Sequence, residues 1–247
     1  MYDNRILTAT LYRSSENPGY PIANVQDTKV LRQFRTLSAS NEWIKISSTI
    51  TASRFAIMGH NLSASAVITL QGNDTDVWTT PSFEEIITWK AGIILHSFTE
   101  ATYNYWRLVI TDSGRSYIAI GELYIGTYLQ EPNIKLDTEL DDETTGEGEL
   151  SSSGQLYGDD GYELRNFTIN YSPMNDAVRE SMRVWWRMCK NNRPFILGIW
   201  ANREDIESLI YCHTAQKAIK WKRTGYVRLP WSTSIKYEEC YCCLLYT

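Results

Sequence analysis

The chain has almost no chemistry that announces itself. Histidine occurs three times in 247 residues, and cysteine is absent until position 189. A disulfide framework is thereby excluded, because the five cysteines are odd in number and crowded at the end. No glycine loop of phosphate-cradling type, no G-x-S-x-G elbow and no H-E-x-x-H pair occurs, so the familiar enzyme signatures are missing. No apolar run approaches bilayer length, and no charged-then-apolar leader precedes a cleavage site; no membrane partner and synthesis in the cytoplasm are expected. Net charge is only -5 with Lys and Arg scattered, so no nucleic-acid stripe forms. No cofactor and no metal ligand set is expected.

What the chain has in quantity is aromatic surface, with sixteen Tyr and nine Trp. Such residues join a rigid apolar face to a polar tip, which suits β cores and large interfaces. With 43% apolar and 21% charged residues the chain is globular, and its length suits two modest domains.

The first half reads as short strands between turn signals: "ILTATLY", "WIKIS" (43 to 47), "RFAIMG" (54 to 59), "AVITLQG" (66 to 72), "GIILHSF" (92 to 98), "YWRLVIT" (105 to 111) and "YIAIGELYIG" (117 to 126). Alternation and β-branched content predict a β-sandwich over 1–128. Trp106 and Leu108 should point inward against Ile118, Ile120 and Leu123, with Gly121 allowing a bulge. The second half, 129–247, opens with an acidic, then Ser/Gly-rich stretch that reads as a connection or a long mobile hairpin with a flexible tip at 144–148. It continues through strand "YELRNFTINY" to a helix over about 173–190. Ser172 is its expected cap, with Pro173 at the first position and Asp176 in the first turn. Strands "PFILGIW", "SLIYCH", "GYVRLPW" and "STSIKYEE" follow. The fold class is therefore mainly β, with one packed helix in the second domain.

Candidate chemical residues are few. His60, in "IMGHNLSAS", has no identifiable nucleophile or carboxylate to work with, and Gly59-His60-Asn61 reads as a turn after a buried strand, with the imidazole bonded locally. His96 and His213 read as half-buried strand residues. Cys240, Cys242 and Cys243 could supply soft ligands, completed by Cys189 or Cys212, but C-x-C-C is not a standard knuckle and small-hydrophobe use is favoured. The seven carboxylates from Asp137 to Glu149 lack the glycine and closing spacing of a calcium loop and read as a solvated loop. "YGDDGY" at 157 to 162 reads as a turn, and no pair of carboxylates stands out for glycoside hydrolysis.

In order, "NPGYPIANVQDTKVLRQFRT" (17 to 36), "WIKI", "FAIMGHNLSASAVITLQGN" and "YWRLVITD" with "YIAIGELYIG" resemble the discoidin-like, galactose-binding-like jelly roll found in tail proteins of bacteriophages. The likeness covers residues 4 to 126. The stretch "RNFTINYSPMNDAVRESMRVWWRMCKNNRPFIL" and the closing "WSTSIKYEE" are more faintly similar to distal-tail and tail-tip proteins; the Cys-rich end departs from them. The resemblance implies a non-enzymatic virion protein of the tail tip or baseplate. It would form a homo-oligomeric ring, contact other tail proteins, and carry a projecting assembly arm at 134–162. The alternative is a carbohydrate-binding module for a host-surface glycan, with Trp78, Trp89 or Tyr103 stacking on a sugar, unless those rings are core or contact aromatics.

Overall fold

The computed structural model describes residues 3–129, 139–144, 148–153, 155–158, 163–189, 193–198, 209–223 and 230–240. They divide into two compact units, one built on Met1–Tyr128 and the other on Leu129–Leu197 and Ile210–Tyr241.

The first unit is a β-sandwich of eight strands: β1 (Thr10–Arg13), β2 (Phe34–Arg35), β3 (Glu42–Met58), β4 (Val67–Asn73), β5 (Phe83–Ile87), β6 (Ile94–Thr111), β7 (Ala119–Ile120) and β8 (Glu122–Gly126). Their main path is β1-β3-β6-β4-β5, with β8 on β3 and a separate β2-β7 pair. "WIKIS" and "RFAIMG" are one strand rather than two, as are "GIILHSF" and "YWRLVIT". Register shifts at Ser47/Ile50 and Ala52/Arg54 carry β3 and β6 onward, so that Arg54 to Ile57 pair with both β6 and β8. These irregularities bend the long strands and let one pair contribute to both layers. Ile44, Ile46, Leu108 and Ile110 thus share one core with Phe55, Ile57, Leu123 and Ile125.

Trp106 anchors that core. Fully buried, it donates through Nε1 to the Ile50 carbonyl at 3.2 Å, using an acceptor beside the register shift. Phe83, Phe98 and Tyr103 stand 5.3 to 5.6 Å from it by ring centroid. Truncation to alanine would cost about 3–5 kcal/mol. The opening "ILTATLY" differs from expectation, because Arg5–Thr8 is a 3-10 turn capped by the Asn4 side chain before β1 begins. Gly121 also has another reason than a bulge. It separates β7 from β8, and a Cβ there would stand 2.0 Å from the Val30 carbonyl oxygen.

The second unit contains β9 (Glu139–Thr144), β10 (Gly148–Leu150), β11 (Leu156–Gly158), β12 (Glu163–Met174), helix α1 (Asp176–Cys189), β13 (Phe195–Gly198), β14 (Leu209–Thr214), β15 (Lys222–Arg223) and β16 (Trp231–Glu239). The sheet order is β13-β14-β16-β12-β9, with β15 on β16. Met182, Trp185 and Cys189 form the buried stripe of α1, and Trp185 meets Phe195 at 5.3 Å and Tyr237 at 6.4 Å. Buried Tyr171 and Tyr237 satisfy one another across β12 and β16, hydroxyl to hydroxyl at 2.7 Å.

Three expectations are corrected here. The helix starts at Asp176, not at Pro173, because β12 continues to Met174, which pairs with Trp231. Asn175 rather than Ser172 is the cap, its Oδ1 accepting from the Val178 amide at 2.8 Å. The acidic run is no simple solvated loop either, since Glu139–Thr144 pairs antiparallel with β12 as an edge strand. Beyond it β10 and β11 form their own hairpin, closed by Ser151 and Gln155. Residues 145–147 of the expected flexible tip at 144–148, and 134–138, 154 and 159–162 of the expected arm, lie outside the described residues.

Candidate binding platform

Strand register builds the candidate site. Tyr12 pairs with Lys45, Lys45 with Arg107, Arg107 with Gln71, and Gln71 with Glu84. Because side chains alternate, a residue flanked by core neighbours such as Ile44 and Ile46 must face outward. One row of polar side chains therefore crosses the outer face of all five strands.

The row is wired together. Lys45 Nζ sits 4.6 Å above the Tyr12 ring and bonds Asp76, which also accepts from Trp78 Nε1 at 2.8 Å. The Arg107 guanidinium lies 4.4 Å from the Trp78 ring centroid, and its Nε donates to Gln71 Oε1 at 2.8 Å. Gln71 Nε2 in turn donates to Glu84. Hydrogen bonds from Lys45 and Trp78 hold the Asp76 carboxyl below the usual carboxylate range. Burial presses Arg107 below its ordinary value, with Asp76 and Glu84 opposing that shift.

Asp76 and Trp78 come from the loop between β4 and β5, and Asn73 fixes that loop. Its Nδ2 donates to the Val77 carbonyl at 2.6 Å, while its Oδ1 accepts from the Asp74 amide at 3.0 Å and the Ser82 hydroxyl at 2.9 Å. Asn104 Nδ2 adds a bond to the Asp74 carbonyl at 3.3 Å. Trp78 is thus carried near the surface on a braced loop, a placement that scaffolded recognition favours. Next to the polar row runs a second one, apolar but for Thr69, of Trp43, Val109, Thr69 and Ile86, of which Ile86 is 72% exposed.

Of the three aromatic candidates from the sequence, only Trp78 belongs to this platform. Trp89 packs against the core and donates to the Leu62 carbonyl at 3.0 Å, and Tyr103 packs edge-on against Trp106. Both are partly buried rings packed against the core, the other reading given for them from the sequence. Tyr12, Lys45, Gln71, Asp76, Glu84 and Arg107 were not singled out from sequence, although Lys45 and Arg107 sit at outward positions of alternating strands.

The histidines are not brought together. His60 Nδ1 accepts from the Leu62 amide at 3.1 Å, which closes the turn after β3, and Gly59 there has φ +61°. Its Nε2 is buried and, among the described residues, has no hydrogen-bond partner of good geometry, lying only near the Lys90 and Gly92 backbone. Burial lowers its pKa to about 4, against backbone contributions from Gly92 and Lys90, so the ring is neutral at pH 7. His96 stacks near Phe98 and pairs with Glu85 at 2.7 Å. His213 lies in the second unit beside Cys240. Cys189 and Cys212 are buried thiols; Cys242 and Cys243 lie outside the described residues. Among the described residues no group of three or more His, Cys, Asp or Glu is arranged to hold a metal.

No family model and no curated protein matches the chain. Solved structures similar to it include chitosan-binding module 2 in complex with chitotriose, derived from a chitosanase/glucanase of Paenibacillus sp. IK-5. The identity is 19%, with 49% of this chain and 98% of that one covered and a TM-score of 0.41. The lectin domain of lectinolysin complexed with Lewis B antigen is 12% identical, over 52% of this chain and 100% of that one, with a TM-score of 0.43. A fucose-binding module of Streptococcus pneumoniae, SpX-3, is 16% identical, over 51% of this chain and 98% of that one, with a TM-score of 0.42. Each is a likeness of fold over about half the chain.

Proposed function

We propose that the first unit is a non-catalytic glycan-binding module whose platform is the outer face of its five-strand path. The observation that carries this reading is Trp78, held on a braced loop beside a row of hydrogen-bonding groups already fixed in place. Sugars offer C–H faces to aromatic rings and hydroxyls to carboxylate, amide and guanidinium groups. Tyr12 and Trp78 supply the rings; Asp76 and Glu84 supply acceptors; Lys45 and Arg107 supply donors, with buried Gln71 holding Arg107 and Glu84 in place. Because the network is complete without a ligand, little side-chain ordering remains to oppose binding.

Chitotriose, Lewis B and fucose, named with the similar structures, are the first probes for calorimetry on the full chain. Trp78→Ala should lower affinity for the bound probe about tenfold or more while leaving the melting temperature within a few degrees. Unchanged affinity would remove the platform from the proposal. Absence of binding across a broad glycan array would sink the module reading itself.

A second reading, the ring-forming phage tail component, draws on the β10–β11 hairpin, whose strands form a two-stranded sheet of their own. Such a hairpin can add strands to a neighbouring subunit. Light scattering after size exclusion should then give a multimer that dissociates when residues 148–158 are deleted. A monomer before and after deletion counts against it.

A further inference from the structure

The second unit's sheet brings together three side chains that the glycan platform does not use. His213 on β14 lies directly opposite Glu238 on β16. Cys240 follows two positions after Glu238, and its amide donates to the Tyr211 carbonyl at 2.8 Å, which extends the ladder by one more step. Alternation therefore places His213, Glu238 and Cys240 on one face of the sheet.

Their spacing has a chemical order. Cys240 Sγ stands 3.6 Å from His213 Nδ1, and His213 Nε2 stands 3.7 Å from Glu238 Oε2. One ring nitrogen faces a thiol and the other a carboxylate, the sequence of nucleophile, base and orienting acid. The site is open to reagents, since the His213 and Glu238 side chains are 30% and 41% exposed and Cys240 is half-buried. Buried Cys189 and Cys212 contrast with it. Other charges on this face are Lys236 on β16 and, across β12, Glu139, Asp141 and Glu143 on β9, with Asn166 bonding Glu143. Glu239 alternates to the opposite face, where Arg165 binds it through both Nε and Nη2.

We propose that Cys240 is a reactive thiol, activated by His213 and Glu238, that exchanges with low-molecular-weight disulfides. His213 takes the Cys240 proton and Glu238 stabilises the resulting imidazolium. The thiolate attacks one sulfur of the incoming disulfide, forming a mixed disulfide at Sγ as the old S–S bond breaks. The departing thiolate leaves with that electron pair and receives the proton from His213. Cys240 is oxidised and the incoming disulfide is reduced in equal measure.

The test follows the reaction of the full chain with an aromatic disulfide reagent from pH 5 to 10, with tandem mass spectrometry assigning the modified cysteine. Cys240 should react first, with a rate midpoint about one pH unit or more below the ordinary thiol value of about 8.5. His213→Ala and His213→Gln should each return the midpoint toward that value, and Cys240→Ser should abolish the fast phase. Two histidine variants guard against one that folds poorly, with circular dichroism as the check on both. A midpoint near 8.5 that neither variant moves, or first modification at another cysteine, overturns the proposal.

Discussion

At the scale of single residues, two titratable groups in the first unit both withdraw stability in acid, for different physical reasons. Asp112 is pushed up by burial, yet hydrogen bonds from the Ser63 hydroxyl and amide, the Gly114 amide and the Ser65 hydroxyl outweigh that and hold it below its usual value. Its stabilisation is complete above the unfolded carboxylate pKa and is lost as pH falls through the folded one. His60 behaves differently, because burial makes its folded pKa about 4 against an ordinary 6.5. Between those values the unfolded chain takes up a proton that the folded chain refuses, so stability falls as pH drops from 6.5 toward 4 and is unaffected above. The shift corresponds to roughly 3 kcal/mol. His60→Asn retains an oxygen that can accept from the Leu62 amide two residues on, and it does not titrate. Urea unfolding should therefore show nearly parental stability at pH 7 and a shallower loss between pH 6.5 and 4. A loss as steep as that of the parent would exclude His60 as its source.

At the scale of elements, the sequence was most legible where one face was uniformly buried. Trp43 to Ser47 alternates cleanly, and so does Tyr105 to Thr111; both lie in strands that pair with one another. What alternation could not reveal is that each continues through a register shift into a second apolar segment, because a bulge breaks the period that identifies a strand. The helix start was misplaced for a related reason. Ser172 and Pro173 carry good local start signals, but the ladder to Trp231 holds the backbone extended as far as Met174, and Asn175 takes over the cap. Tertiary pairing there outweighed local propensity. Four carboxylates in Glu139–Thr144 disguised a strand as a loop. At a sheet edge such charges have a use, since Glu139, Asp141 and Glu143 are exposed and discourage a further chain from pairing with that edge.

At the scale of the whole molecule, fold class could be read from the succession of short strands, while the platform could not. Tyr12, Lys45, Gln71, Glu84 and Arg107 lie on five different strands, and only the register places them in one row. Register depends on long-range packing that a single sequence does not display. The same packing indicates how self-sufficient the first unit is. Its core cluster runs from Ile6 to Ile125, and every residue of the platform lies within those limits. Residues 1–128 expressed alone should therefore unfold cooperatively, because the core cluster of the described residues lies within that segment. Affinity for whichever glycan binds the full chain should stay within about threefold, a change of less than 1 kcal/mol. A folded fragment that has lost binding would remove the platform as the site. A fragment without a cooperative transition would mean that the first core depends on residues beyond it.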